Sequence, residues 1–206
     1  MARSPVRLVA FDLDGTLLRG PTICEVLAAK FGVQDRMREF EQMRDIADIR
    51  AARQEMLTWY GDSPLEELCT ELTRVELAPG ALEAFPLLAT RGVHAVIISV
   101  TWAFAVEWFA RRFGAQAWVG TTVTGTRSIG HFWPSDKPIW LSRYLRNLGI
   151  EPAEVAAVGD SYGDVPMLSS VAHPVYVGAQ LPTEISHAMH RPHADMREVA
   201  EEILGR

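Results

Sequence analysis

Apolar residues fall into two rhythms along the chain: short unbroken runs, and longer stretches with an apolar position at every third or fourth residue. The first run starts near Val6, ends at Phe11 and predicts a strand buried on both faces. From Thr22 to about Val75 the rhythm is helical, with no convincing strand. Thr22 can cap a helix carrying Ile23, Val26, Leu27 and Phe31, which Gly32 ends. Met37, Phe40, Met43 and Ala47 continue at helical spacing, and Ile49, Met56 and Trp59 predict a third helix closing near Gly61. Ser63-Pro64-Leu65-Glu66 reads as a capping box with proline at the first helical position, opening a helix along Leu65, Leu68, Leu72 and Val75.

Strands and helices then alternate. A helix with Leu82, Phe85 and Leu88 stops at Gly92 and leads into a strand from Val93 to Ser99, after which Thr101 can cap a helix through Ala105, Trp108 and Phe109 to Gly114. Trp118 to Thr124 and Arg127 to Phe132 predict a hairpin turning at Gly125. Asp136-Lys137-Pro138 opens a helix with Leu141, Tyr144, Leu145 and Leu148. Val155 to Val158 and Val175 to Val177 predict two more strands, and Met196 to Leu204 a last helix. This order predicts an α/β fold: a Rossmann-like parallel sheet core with helices on both faces, plus an inserted helical-bundle cap. The core takes residues 1–19 and 79–206 and the cap 20–78, joined at Arg19-Gly20-Pro21 and Ala78-Pro79-Gly80.

Composition narrows the class. The 206 residues, 48% hydrophobic and 22% charged, suit a globular chain with a sizeable core. A net charge of −6 without a basic block argues against a nucleic-acid partner. No apolar run reaches the roughly 18 residues of a membrane span, and residues 1 to 12 lack the pattern of a secretory signal. Cys24 and Cys69 show no metal-ligand spacing, so a reduced, cytoplasmic setting is expected.

The chemistry concentrates at strand ends. Asp12 and Asp14 follow the first strand and, by alternation, share one face while Leu13 takes the other. Two anions held that close repel unless a cation sits between them. Mg²⁺ fits, since it takes oxygen ligands and favours sites that also bind phosphate. Ser99 and Asp160 likewise stand past apolar strands, at the edge where open α/β sheets bind ligands.

With these residues in view, the chain resembles the haloacid dehalogenase superfamily on its phosphatase side. The motifs are, in order, Asp12-Leu13-Asp14-Gly15-Thr16, Ser99, Lys137 and Gly159-Asp160-Ser161-Tyr162-Gly163-Asp164. The insert is similar to the small helical cap of the phosphoserine phosphatase branch, and Ala194-Asp195-Met196-Arg197-Glu198-Val199 resembles that branch less specifically. The resemblance implies Asp12 as nucleophile and Asp14 as general acid and base. It implies Mg²⁺ held by Asp12, Asp160 and the backbone carbonyl of Asp14. Ser99 and the backbone from Val100 would hold phosphate, Lys137 would neutralise it together with Asp12, and Asp164 would orient Lys137 or metal-bound water.

Several positions depart from that branch. Pro21 stands where its members are expected to carry a glutamate that reads an amino group, Gly163 replaces asparagine, and Val100-Thr101 replaces a glycine pair. Arg53 lies near the place of a carboxylate-binding arginine, and Glu25, one helical turn on, offers a substitute for the missing glutamate. Trp59, Trp102 and Trp133 could line an apolar substrate pocket but read chiefly as core, with Trp102 a candidate near the substrate; His187, His190 and His193 are split by Pro192 and read as a solvated face rather than a metal site. The expected partner is a small phosphate ester, with hydrolysis the leading reaction. Phosphoserine hydrolysis and transfer to an acceptor alcohol are the near alternatives, and a non-catalytic ligand-binding protein is the alternative of another class. A dehalogenase has no need of Asp14.

Overall fold

A computed structural model describes residues 5–124 and 128–205. Its sheet has seven strands in the order β6-β5-β4-β1-β7-β8-β9: β1 (Leu8–Phe11), β4 (His94–Trp102), β5 (Ala117–Thr124), β6 (Ser128–Gly130), β7 (Val155–Gly159), β8 (His173–Tyr176) and β9 (Met189–His190). All neighbouring pairs run parallel except β5 with β6. The central strands alternate between two apolar layers. Leu8, Ala10, Val96, Ile98, Val155 and Ala157 face α7 (Asp136–Leu148) and α8 (Val165–Leu168). Val9, Phe11, Ala95, Ile97, Ala156 and Val158 face α5 (Ala81–Thr90), α6 (Ala103–Phe113) and α9 (Met196–Leu204). A strand covered on both sides needs no polar face, which is why β1 reads as an unbroken apolar run.

Between β1 and α5 the chain leaves through β2 (Leu18–Arg19) and returns through β3 (Glu76–Leu77), which pair antiparallel in a separate ribbon. Between them lie α1 (Ile23–Lys30), α2 (Gln34–Glu41), α3 (Ile46–Tyr60), α4 (Leu65–Glu71) and a closing 3₁₀ turn at Leu72–Arg74. The Thr22 side chain accepts from Glu25 N–H while the Glu25 carboxylate accepts from Thr22 N–H, a complete capping box for α1. The apolar interior of these helices is continuous with the layer beneath α6, and Trp102 Nε1 donates to Tyr60 Oη at 2.9 Å across the junction.

Two local expectations change. Ser63 does not cap α4: Pro64 itself stands at the N-cap, its carbonyl accepting from Glu67 and Leu68, so the helix opens one residue later without a side-chain cap. Thr101 does not cap α6, because β4 runs on through Trp102 and the helix starts at Ala103. The anticipated hairpin is present as β5 and β6, but Gly125 and Arg127 lie outside the described residues.

The continuation of β4 is irregular. Ile98 pairs with Val119 and Trp102 with Thr121, so Ser99, Val100 and Thr101 stand opposite the single residue Gly120. A Cβ on Gly120 would lie 2.8 Å from Thr101 O and 3.0 Å from Ala103 Cα, so only glycine lets the bulged strand approach.

Candidate active site

β1 ends at Phe11, and the next residues turn at once. Leu13 O accepts from the N–H groups of Thr16, Leu17 and Leu18, and Gly15 adopts φ +82°. The turn separates the two carboxylates that strand alternation put on one face. Asp12 Oδ1 accepts from Lys137 Nζ at 2.7 Å, whereas Asp14 Oδ1 accepts from Ile23 N–H at 2.9 Å, at the first turn of α1.

Lys137, in the first turn of α7, is 2% exposed and bridges two acids, with Asp164 Oδ1 at 2.5 Å on its other side. Burial works against its charge, but Asp12 and Asp164 outweigh it and hold the ammonium above its ordinary pKa. Asp164 Oδ2 accepts in turn from Asp160 N–H, Ser161 N–H and Ser161 Oγ, at 3.1, 3.0 and 2.9 Å. A Cβ at Gly159 would lie 2.5 Å from Asp164 Cβ, so that motif glycine is a clearance for the acid. Asp160 is placed by Thr16 Oγ1, which donates to its Oδ1 at 2.9 Å, and it packs where a Gly15 side chain would stand, 2.2 Å from Asp160 Oδ2.

Carboxylate oxygens of Asp12, Asp160 and Asp164 lie within 4.8 Å of one another. One ammonium does not neutralise three such groups. Burial first, then Asp164 and Asp160, pushes Asp12 well above the usual carboxylate range, and burial with Asp164 pushes Asp160 up to about 6. A divalent cation relieves that crowding, and hard oxygen donors of this kind fit one. Both oxygens of Asp164 are already bonded to protein donors, and its side chain is fully buried. Asp14 rises to about 7, chiefly through burial, with the Ile23 N–H pulling the other way and Glu41 and Asp160 pushing it up.

Asp12, Asp14 and Asp160 open on a cavity of about 470 Å³ roofed by α1–α3 and floored by the sheet edge. Ser99, Val100, Arg53 and Trp102 line it. Trp102 is also core, 2% exposed. Pro21 and Glu25 do not line it, because the Glu25 carboxylate is turned back onto Thr22 N–H. The acid of α2 that lines it is Glu41, whose Oε1 accepts from Thr22 Oγ1 at 3.0 Å. Sequence reading missed Glu41, since it belongs to no motif, and Thr121, which enters only through the bulge. The histidines do not converge with the acids, and His190 Nε2 bonds Gly178 O instead.

A doubly covered parallel sheet with acids past two of its strand ends and a lysine joining them is shared with a known group. The sequence pattern of haloacid dehalogenase-like hydrolases matches residues 9–169, and the chain belongs to that family. Within it, the chain is similar to a phosphoserine phosphatase of Archaeoglobus fulgidus, 27% identical over 167 residues that cover 77% of this chain and 48% of that one. It is 28% identical to a phosphoserine phosphatase of Wolinella succinogenes over 79% of this chain and 82% of that one. The chain thus spans about half the length of the Archaeoglobus relative. A solved structure described as a phospho-aspartyl intermediate analogue of phosphoserine phosphatase shares the fold, with TM-score 0.78, 20% identity and coverage of 97% and 99%.

Proposed function

We propose that the protein is an Mg²⁺-dependent phosphomonoester hydrolase that acts on a small phosphorylated metabolite through an aspartyl phosphate. The observation that carries this reading is the Asp12–Lys137–Asp164 chain, buried beside Asp160 at the floor of the cavity. Mg²⁺ would be held by Asp12, Asp160 and the Asp14 carbonyl, and it supplies positive charge to the phosphoryl oxygens.

Lys137 aligns Asp12 by holding Oδ1, which leaves Oδ2 to attack phosphorus. As that bond forms, the ester P–O bond breaks and the leaving oxygen takes the proton of Asp14. A pKa near 7 suits an acid that must be protonated at the start and can act as base afterwards. Water then attacks the phosphorus and gives its proton to Asp14; the bond to Asp12 breaks and inorganic phosphate leaves. Lys137 offsets negative charge throughout, so positioning and electrostatics carry most of the rate.

No helix among the described residues is long and apolar enough to cross a membrane, and Cys24 and Cys69 are free thiols. Hydrolysis of p-nitrophenyl phosphate tests the mechanism: it should require Mg²⁺ and stop with EDTA. Asp12→Asn, which keeps the size of the side chain and removes its charge, should lower kcat by at least ~10³. Unchanged turnover in that variant would end the reading.

A further inference from the structure

The bulge of β4 poses a physical problem. Ser99, Val100 and Thr101 face the cavity, yet the ladder to β5 is interrupted over those residues, so regular strand pairing does not fix their peptide planes. Val100 O is held instead by two side chains. Thr121 Oγ1 donates to it at 2.9 Å from β5, and Arg53 Nη2 donates at 3.0 Å from α3, across the cavity. Arg53 is itself over-determined. Nη2 also reaches Phe132 O at 3.4 Å, Nη1 meets His131 Nδ1 at 3.2 Å, and the guanidinium lies 4.7 Å from the centre of the Trp133 ring, which stacks on His131. A guanidinium only donates, so His131 Nδ1 is the acceptor in that contact.

We infer that Arg53 is a positioning residue: by holding Val100 O it orients the Val100–Thr101 peptide, and so the Thr101 N–H, for the phosphoryl group when the inserted helices sit on the core. The peptide is planar and trans, so its carbonyl and N–H point in opposite directions, and fixing one fixes the other. With Val100 O turned toward Thr121 and Arg53, Thr101 N–H points the other way, into the cavity side of the strand where it donates to Ser99 Oγ at 3.4 Å. Arg53 then acts on the reacting group shared by every substrate, whereas a carboxylate reader acts only on substrates that carry a carboxylate. The inference rests on the phosphatase reading above and deepens it, because the helices that select the leaving group also complete the phosphate pocket.

The two roles separate experimentally. Arg53→Ala and Arg53→Gln should be compared with wild type on p-nitrophenyl phosphate, on phosphoserine, and for competitive inhibition by inorganic phosphate, with melting temperatures measured alongside. A positioning role predicts that Arg53→Ala lowers kcat about tenfold on both esters and weakens phosphate inhibition in step, with Arg53→Gln recovering part of the loss through its amide donor. Inorganic phosphate has no leaving group, so a residue that reads the leaving group cannot move its inhibition constant. A loss confined to phosphoserine, or unchanged phosphate inhibition in Arg53→Ala, would overturn the inference. Absence of any hydrolysis by the wild-type protein would instead strike the phosphatase reading itself.

Discussion

Burial is the first cause of the raised pKa of Asp14, and the charges of Glu41 and Asp160 add to it, so the carboxyl titrates at about 7. That value makes two measurable statements. In the proposed mechanism the protonated form releases the leaving oxygen, so kcat/KM on an alkyl phosphate should fall as pH rises above about 7. The fall should be shallower with p-nitrophenyl phosphate, whose leaving group departs as a stable anion. Equal slopes for the two esters would take the acid role from Asp14. In stability the sign is opposite to that of a salt-bridged acid. Between the ordinary 3.8 and about 7, the folded state holds a proton that the unfolded chain releases, so stability is lost as pH rises through that window. Asp14→Asn keeps an oxygen for Ile23 N–H and removes the titration. In EDTA its melting temperature should match wild type at pH 4 and exceed it by roughly 10 °C at pH 8. A variant less stable than wild type at pH 8 would contradict the assigned shift.

At the scale of the element, the bulge in β4 is where the strand stops being only a support. Gly120 permits it, and its neighbours there are largely backbone, with Val106 Cγ2 also 2.9 Å from an added Cβ. Gly120→Ala should therefore cost about 1–3 kcal/mol and displace Val100, giving a lower melting temperature together with a reduced kcat. Full activity with an intact melting curve would show that the bulge can shift without consequence. This element also marks how far the sequence is legible. Strands such as β1 and β7 announce themselves because an unbroken apolar run has few other uses, and α1 announces itself through Thr22 and Glu25. The run of β4 ends in Ser99-Val100-Thr101, which looks like a loop entering a helix; only Gly120 and Thr121, about twenty residues on, make it strand. The β2–β3 ribbon is likewise invisible, since two residues carry no period and their partners lie far along the chain. At the site, the acids and Lys137 stand in compact motifs or at strand ends, while Thr121, Trp133 and Glu41 reach the cavity only through tertiary packing.

For the molecule as a whole, the proposed reaction divides the cavity into a floor for the phosphate and a roof for the leaving group. Met37, Phe40, Met43, Ile49 and Met56 make much of the roof apolar, Glu41 is its acid, and Arg44 and Arg53 are its cations. The features that would read phosphoserine are displaced: Pro21 lies outside the lining, Glu25 is committed to capping α1, and Arg53 is committed to Val100 and Phe132. A site built to pair a charged group discriminates strongly, whereas an apolar one discriminates weakly. Phosphoserine should therefore be a poorer substrate than sugar-like or cyclic polyol phosphates, whose leaving groups are uncharged and which a single carboxylate can still engage through a hydroxyl. Measuring kcat/KM across both classes decides it. Glu41→Gln keeps a hydrogen-bonding amide, so it should change polyol turnover by less than about tenfold. If phosphoserine were preferred and Glu41→Gln abolished that preference, Glu41 would be supplying from α2 the ammonium-reading charge that Pro21 lacks, and the uncharged leaving group would be the wrong assignment.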